Sequence, residues 1–379
     1  MTATIIGTAA AAFWAYLIAL RGGFWRIRTE PVPGSVPPRK VAAVIPARDE
    51  AAVIGRAVSS LLAQHYPGSF HLIIVDDHSS DGTAAAAQGA AAAIGRADRL
   101  SIIHAAPVPL GWTGKLWAVR HGIEAARALE PDYLLLTDAD IVHAPDNLAE
   151  LVARAEHGGY NLVSLMVKLH CRTAWERLLI PAFVFFFLKL YPPRHVADPG
   201  RRTAAAAGGC MLIRRETLDR IGGVDSIRRE IIDDCALARR VKAVGKVWLG
   251  AAADTVSIRE YGSWRPIWDM IARCAFAQLG YSAPALLGTT AAMAVVYLAP
   301  PVLLLAGPAP ARVVGAATWA GMSAAFVPVL RLYRVPVALA PLLPAAALFY
   351  TAATVWSAVQ YWRGRGGRWK GRFQAAPSR

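Results

Sequence analysis

Cysteine is scarce and scattered in this chain: Cys171, Cys210, Cys235 and Cys274 are the four in 379 residues, and no two stand at CxxC spacing. That spacing offers neither a disulfide framework nor a cysteine zinc site, and it fits a reducing compartment. The nine histidines form no HExxH or other close ligand pattern, so each reads as structural or exposed. Acidic residues are few, 26 against 41 Lys and Arg, which leaves a formal net charge of +15. Such a charge suits nucleic acid or an anionic membrane surface. No nucleic-acid-binding signature accompanies it, and the basic residues gather beside apolar runs, at Arg21, Arg26 and Arg28, at Arg331 and Arg334, and from Arg363 to Arg372. The expected partner is therefore a membrane and not nucleic acid.

What is abundant is apolar surface: 55% of residues are hydrophobic and the mean hydropathy is +0.35, values too apolar for an ordinary cytosolic enzyme. Thr4 to Leu20 is an unbroken apolar run with no Lys or Arg before it and three Arg after it, the flanks of a membrane anchor whose C-terminal end faces the cytoplasm, and not of a cleaved signal peptide. Past residue 281 three further runs follow, Ala283 to Gly307, Val313 to Leu330 and Val335 to Tyr361. Three crossings from the cytoplasm would put the basic tail outside, against the positive-inside tendency, so either one run is re-entrant or the count is off. The resulting organisation is an anchor over residues 1–22, a Pro-rich linker over 23–40, a catalytic domain over 41–262, an amphipathic interfacial helix over 263–281, a membrane region over 282–362 and a basic tail over 363–379. Leu178 to Tyr191 and Trp264 to Leu279 read as helices that lie along a membrane or pack into the protein.

From Val41 the chain alternates short apolar runs with helical patterns. The patterning predicts strands Val41 to Ile45, His71 to Val75, Leu100 to His104, Tyr133 to Thr137 and Asn161 to Lys168. Helices are expected over Ala51 to Gln64, Thr83 to Ile94, Gly114 to Leu129 and from Pro145 and Asp146 onward. This is the grammar of a nucleotide-binding α/β sheet, whose ligands gather outside the carboxyl ends of the strands. Three strands end there in charged clusters: Arg48-Asp49-Glu50, Asp76-Asp77 and Asp138-Ala139-Asp140.

Asp138 and Asp140 leave a purely apolar strand one residue apart, which a divalent cation would explain. Mg²⁺ or Mn²⁺ takes hard oxygen ligands, usually one or two carboxylates plus substrate phosphates. A solvated turn is the plainer alternative. Asp76 and Asp77 are acceptors where a ribose or base presents donors, whereas Asp81 and Thr83 occupy turn and cap positions. Lys115 opens a helix, where a cation and free N–H groups can meet a phosphate, or is merely an exposed lysine. The stretch Ile231 to Gly245 reads as a helix, acidic at its start and basic at its end, with Asp233-Asp234 available to take an acceptor proton.

These motifs, with Ile45-Pro46-Ala47-Arg48-Asp49-Glu50, Gly114-Lys115 and Gly208-Gly209-Cys210-Met211-Leu212-Ile213-Arg214-Arg215, resemble the family 2 glycosyltransferases with a GT-A fold over roughly Val41 to Tyr281, and among them the hopene-associated glycosyltransferases of bacteria. The resemblance implies a Rossmann-like, mostly parallel sheet. It implies donor contacts at Pro46, Arg48, Glu50, Asp76, Asp77, Lys115 and Asp138, a metal at Asp138 and Asp140, Gly208, Gly209 and Asp233 on the acceptor side, and Asp234 as general base in an inverting displacement. It further implies a nucleotide-sugar donor, a UDP-sugar first of all, a lipid acceptor such as a hopanoid or other isoprenoid, and a multi-pass protein of the bacterial inner membrane with its catalytic domain in the cytoplasm. Two features depart from the family pattern: the usual Glu-Asp pair is Asp233-Asp234, and QxxRW is missing, Ser263-Trp264-Arg265-Pro266-Ile267-Trp268 standing nearest, which favours single sugar addition over polymerisation. The competing readings are a non-catalytic scaffold that keeps the fold, and a sugar nucleotidyltransferase. The latter lacks its Gly-rich loop after the first strand.

Overall fold

Apolar runs set the sheet. Val41–Ala47 (β1) buries six of its seven residues, and Phe70–Asp76 (β2), Leu100–His104 (β3) and Tyr133–Thr137 (β4) follow the expected runs closely. The computed structural model, which describes residues 1–27 and 37–367, adds Ile141–Val142 (β5), Leu162–Lys168 (β6), Cys210–Arg214 (β7) and Val247–Ser257 (β8), giving one eight-stranded sheet of order β3-β2-β1-β4-β7-β6-β8-β5. β5, β7 and β8 are not among the strands expected from sequence. They make the sheet more mixed than "mostly parallel" implies: β1–β2, β1–β4, β2–β3 and β6–β8 are parallel, while β4–β7, β6–β7 and β5–β8 are antiparallel.

Register decides what meets at the carboxyl edge. β1 runs alongside β2 up to Ala47↔Asp76 and alongside β4 up to Val44↔Leu136, so Arg48, Asp77 and Asp138 emerge on one edge. β7 runs the other way, with Cys210 opposite Thr137, and this delivers Gly208 and Gly209 to the same edge. Beneath it lies a continuous core that includes Val41, Ile45, Ile54, Leu61, Ile74, Leu135 and Val163.

The helix Gly114–Ala126 is seated on this sheet by a glycine. A Cβ on Gly122 would stand 2.3 Å from Val44 Cγ1 and 2.9 Å from Val75 Cγ2, so only the missing side chain lets the helix lie this close to β1 and β2. Thr113 caps its start by accepting from the Leu116 N–H at 3.4 Å.

This sheet with its flanking helices forms one unit, residues 37–169 together with His195–Arg259; the other is helical, built from Met1–Ile27, His170–Arg194 and residues 260–367. Residues 170–194 thus leave the 41–262 stretch read from sequence as one catalytic segment. The linker residues 28–36 and the tail from Arg368 lie outside the described residues, which takes in Arg28, Pro31, Pro33, Gly34, Lys370 and Arg372. Within the helical unit, Thr2–Leu20, Ala283–Ala306, Ala309–Leu332 and Val337–Trp362 are each long and apolar enough to cross a membrane. None of the three C-terminal helices is short enough to require a re-entrant path.

The helix Ala174–Leu190 is buried nearly all round, at Leu179, Ile180, Val184, Phe185, Phe186 and Leu188 among others, so packing into the protein wins over lying along a membrane. Phe185 contacts the rings of Trp14, Phe24 and Phe326, and the Tyr350 hydroxyl donates to the Leu179 carbonyl at 2.9 Å. Its first turn is tied down by Glu176, fully buried, which accepts from the N–H groups of Arg172, Thr173 and Tyr261. Trp264–Gln278 is the amphipathic one, burying Ile267, Ile271 and Phe276.

Gly122→Ala and Gly89→Ala test the seating argument as a pair. Alanine in place of glycine inside a helix gains roughly 0.5–1 kcal/mol. At Gly89, where a Cβ meets nothing within 4 Å, that gain is expected to appear as a higher melting temperature. At Gly122 overpacking of about 1–3 kcal/mol should outweigh it and lower the melting temperature. Equal shifts in calorimetry would refute the close seating.

Candidate active site

Four charged side chains from three segments converge beside Gly208. Lys115, on the first turn of its helix, places Nζ 3.0 Å from Asp138 Oδ1 and 3.3 Å from Asp233 Oδ2. Asp233 and Asp234 begin the helix Asp233–Lys242, where free N–H groups favour negative charge. Asp234 accepts from two backbone donors, Cys235 N–H to Oδ1 at 2.7 Å and Gly208 N–H to Oδ2 at 2.9 Å. A Cβ on Gly208 would stand 3.3 Å from Lys115 Nζ and 3.4 Å from Asp234 Oδ2, so a glycine there leaves room for both. Pro46, Leu116, Leu136, Thr137, Met211, Val224, Ile227 and Leu237 complete the cleft with mostly apolar surface.

The electrostatics follow from this crowding. Burial, with the Asp233 charge added, raises the Asp234 pKa to about 6, although Lys115 and the two backbone donors oppose the shift. Asp138 is pushed up by burial and by its neighbours Asp140 and Asp233, against the pull of Lys115. Burial alone would discharge Lys115, but Asp138, Asp233 and Asp234 together outweigh it and hold the ammonium above its usual value.

The remaining expected residues fall into two further groups. Glu50 and Asp140 share Arg259: its Nη2 donates to Glu50 Oε1 at 2.7 Å and Oε2 at 2.9 Å, and its Nε stands 3.3 Å from Asp140 Oδ2, which also accepts from Ser257 Oγ at 2.6 Å. Arg48 folds over the end of β2, donating through Nη1 to the Asp77 carbonyl at 2.9 Å, and its Nε is buried without a hydrogen-bond acceptor. Asp77 is buried and contacts His78 at 3.3 Å, while Asp76 accepts from Ser79 N–H and meets His104 at 3.4 Å. Gly209 serves the framework, packing against Val167 and Ile141 and accepting from Thr137 Oγ1 at 2.7 Å. Asp81 and Thr83 hold the turn to the helix Ala51–Leu62, through Ala51 N–H to Asp81 and Glu50 N–H to Thr83.

Arg259 and Ser257 are absent from the sequence reading. Their only signal is position: Ser257 ends β8 and Arg259 follows it, and the pairing Ile141↔Ser257 carries them to Asp140.

Among the described residues no three His, Cys, Asp or Glu side chains group closely enough to cage a metal. Mg²⁺ and Mn²⁺ need no such cage, since they keep waters and take phosphate oxygens beside one or two carboxylates. Asp138 and Asp140 supply hard oxygens of that kind, each already compensated by a cation from another segment, so this donor set fits a divalent ion.

The site is thus the acidic carboxyl edge of an α/β sheet with a half-buried lysine among its carboxylates. The chain belongs to the family described as "Glycosyltransferase like family 2", which matches residues 37–260, more than half of it. It is also 27% identical over 221 residues to the uncharacterized protein y4gI of Sinorhizobium fredii, a match that takes in 55% of this chain and 23% of that protein's length. Among solved structures it is similar to the mannosyltransferase PcManGT from Pyrobaculum calidifontis, a complex with GDP-Man and Mn²⁺, at TM-score 0.61 and 20% identity over 94% of this chain and 98% of that one. That likeness shows the GT-A fold.

Lys115→Met tests the charge balance. Without the ammonium, Asp138, Asp233 and Asp234 repel one another, at a cost of about 2 kcal/mol, less than for a fully buried pair because Asp138 remains partly exposed. The raised pKa values of Asp138 and Asp234 then rise further, so the folded protein holds protons more tightly. The gap in melting temperature between mutant and wild type should therefore widen as pH rises from 5 to 8. A gap independent of pH would break the argument.

Proposed function

We propose that this family 2 glycosyltransferase moves a single sugar from a nucleotide-sugar donor to a lipid acceptor, by inverting displacement, with a divalent cation. One observation carries the reading: a carboxylate held near pKa 6, Asp234, beside a lysine and at the strand-end carboxylates that suit a diphosphate-bound cation. In this reading Asp234 takes the proton of the acceptor hydroxyl as it attacks the anomeric carbon. Lys115 faces the diphosphate, whose departing charge it offsets. Asp138 and Asp140 would hold Mg²⁺ or Mn²⁺, which supplies electrostatic stabilisation of the leaving nucleoside diphosphate. Pro46, Arg48, Glu50, Asp76 and Asp77 line the nucleotide side, the enclosed Arg48 Nε being a donor that a ligand oxygen could satisfy. Gly208, Gly209 and Asp233 stand on the acceptor side.

Four helices of membrane-spanning length support a lipid acceptor, met at a membrane with the catalytic unit on its cytoplasmic face. The likeness to hopene-associated enzymes makes an isoprenoid such as a hopanoid the first acceptor to try. The absence of QxxRW favours one addition over chain growth. A UDP-sugar is the first donor to test, and the GDP-Man seen with PcManGT makes GDP its natural comparison.

Two measurements on detergent-purified protein test this. UDP or GDP should raise the melting temperature only with Mn²⁺ or Mg²⁺, and Asp140→Ala should abolish the rise; stabilisation by neither nucleotide would favour a non-catalytic scaffold. Donor turnover with membrane lipid extract should fall as pH drops below about 6, because the raised pKa leaves Asp234 protonated there. Asp234→Asn should cut turnover by roughly 10²–10⁴ while nucleotide still binds. A rate unchanged by that substitution would remove Asp234 as the base.

A further inference from the structure

Arg259 joins two carboxylates that leave different strands. Glu50 follows β1, Asp140 follows β4, and Arg259 comes two residues after β8 ends. Their side chains are 9% and 10% exposed, against 39% for Arg259. The guanidinium is thus the cation that stands between these two enclosed carboxylates.

Its contacts are unequal. Nη2 meets both Glu50 oxygens, at 2.7 and 2.9 Å, whereas Nε stands farther from Asp140, at 3.3 Å. Asp140 is held in place independently of Arg259, since Ser257 Oγ donates to its Oδ2 at 2.6 Å and the Ile258 N–H donates to its carbonyl at 2.9 Å. The carboxylate can therefore lose the guanidinium without losing its position. A divalent ion at Asp140 and the guanidinium would compete for one carboxylate and repel each other.

We infer that Arg259 is a positioning residue that stands in for the divalent cation, holding the Asp140 carboxylate while the cation is absent and yielding it on arrival while keeping Glu50 through Nη2. The inference rests on the proposed cation site. It makes cation binding and the Arg259–Asp140 contact mutually opposed by linkage, so bare cation binds weakly and binds better with a diphosphate that adds oxygen ligands. The acidic edge stays folded in the meantime.

The test is Mn²⁺ binding to the full-length, detergent-purified protein, read from the EPR signal of free Mn²⁺ in the presence of UDP or GDP, with melting temperatures in chelator and in saturating Mn²⁺. Wild type, Arg259→Gln and Arg259→Lys are compared. Arg259→Gln should melt lower than wild type in chelator, regain most of the gap in Mn²⁺, and bind Mn²⁺ tighter by roughly fivefold or more. Arg259→Lys, which keeps the charge but cannot span both carboxylates, should fall between. If Arg259→Gln does not fold in chelator, Arg259→Lys carries the test, with a smaller tightening. Equal or weaker Mn²⁺ affinity in the variants overturns the inference and leaves the cation site standing. No Mn²⁺ binding by wild type with either nucleotide overturns the cation site itself.

Discussion

The ammonium of Lys115 is what allows the acidic edge of this sheet to exist. Asp138, Asp233 and Asp234 approach one another although burial and the neighbouring carboxylates oppose ionisation of Asp138 and Asp234, and a lysine among them is the nearest compensating charge. It arrives there because the helix that carries it is clamped down on β1 and β2 at Gly122, two turns below. A contact made wholly of apolar atoms thus fixes where a charge sits. Arg259 does the corresponding work for Glu50 and Asp140, so these carboxylates too are compensated from a segment distant in sequence.

Such compensation has a chemical consequence. A site in which Asp138 and Asp140 each already stand beside a cationic side chain does not need a resident metal to fold, so cation binding is left to depend on the diphosphate that brings further oxygens. Lys115 serves the same end. Its charge is shared among three carboxylates, and Asp234, with burial around it and Asp233 beside it, ends with a pKa of about 6, suited to accepting a proton near neutrality.

Much of the sheet was legible because its strands read as short apolar runs bounded by charge: β4, buried throughout, and β3, the half-buried edge strand, both coincide with the expected limits. β7 and β8 escaped for a physical reason. The β8 sequence VWLGAAADTVS has no alternation and two stretches of small residues, and its strand character comes from parallel pairing with β6 far away in the chain. The site shows the same division. Asp138, Asp140 and Asp234 could be picked out by type and by place at strand or helix ends. The partnership of Lys115 with Asp233 could not, because more than a hundred residues separate them. Arg259 was invisible among 41 Lys and Arg, since only the Ile141↔Ser257 register brings it to Asp140.

The helical unit answers the same polar problem in an apolar setting. Pro300 and Pro301 have no N–H, so the Val296 carbonyl loses its donors at both the fourth and the fifth following residue, and the chain widens there into the π-helical turn Ala294–Leu298. The Trp14 indole N–H fills the gap at 2.9 Å, from a helix at the other end of the chain. A buried carbonyl left unpaired costs roughly 1–3 kcal/mol, so this one bond makes the position of Thr2–Leu20 specific where apolar packing alone would tolerate sliding. In both units, then, nonspecific burial forms the elements, and a polar group that must be satisfied from far away sets their register.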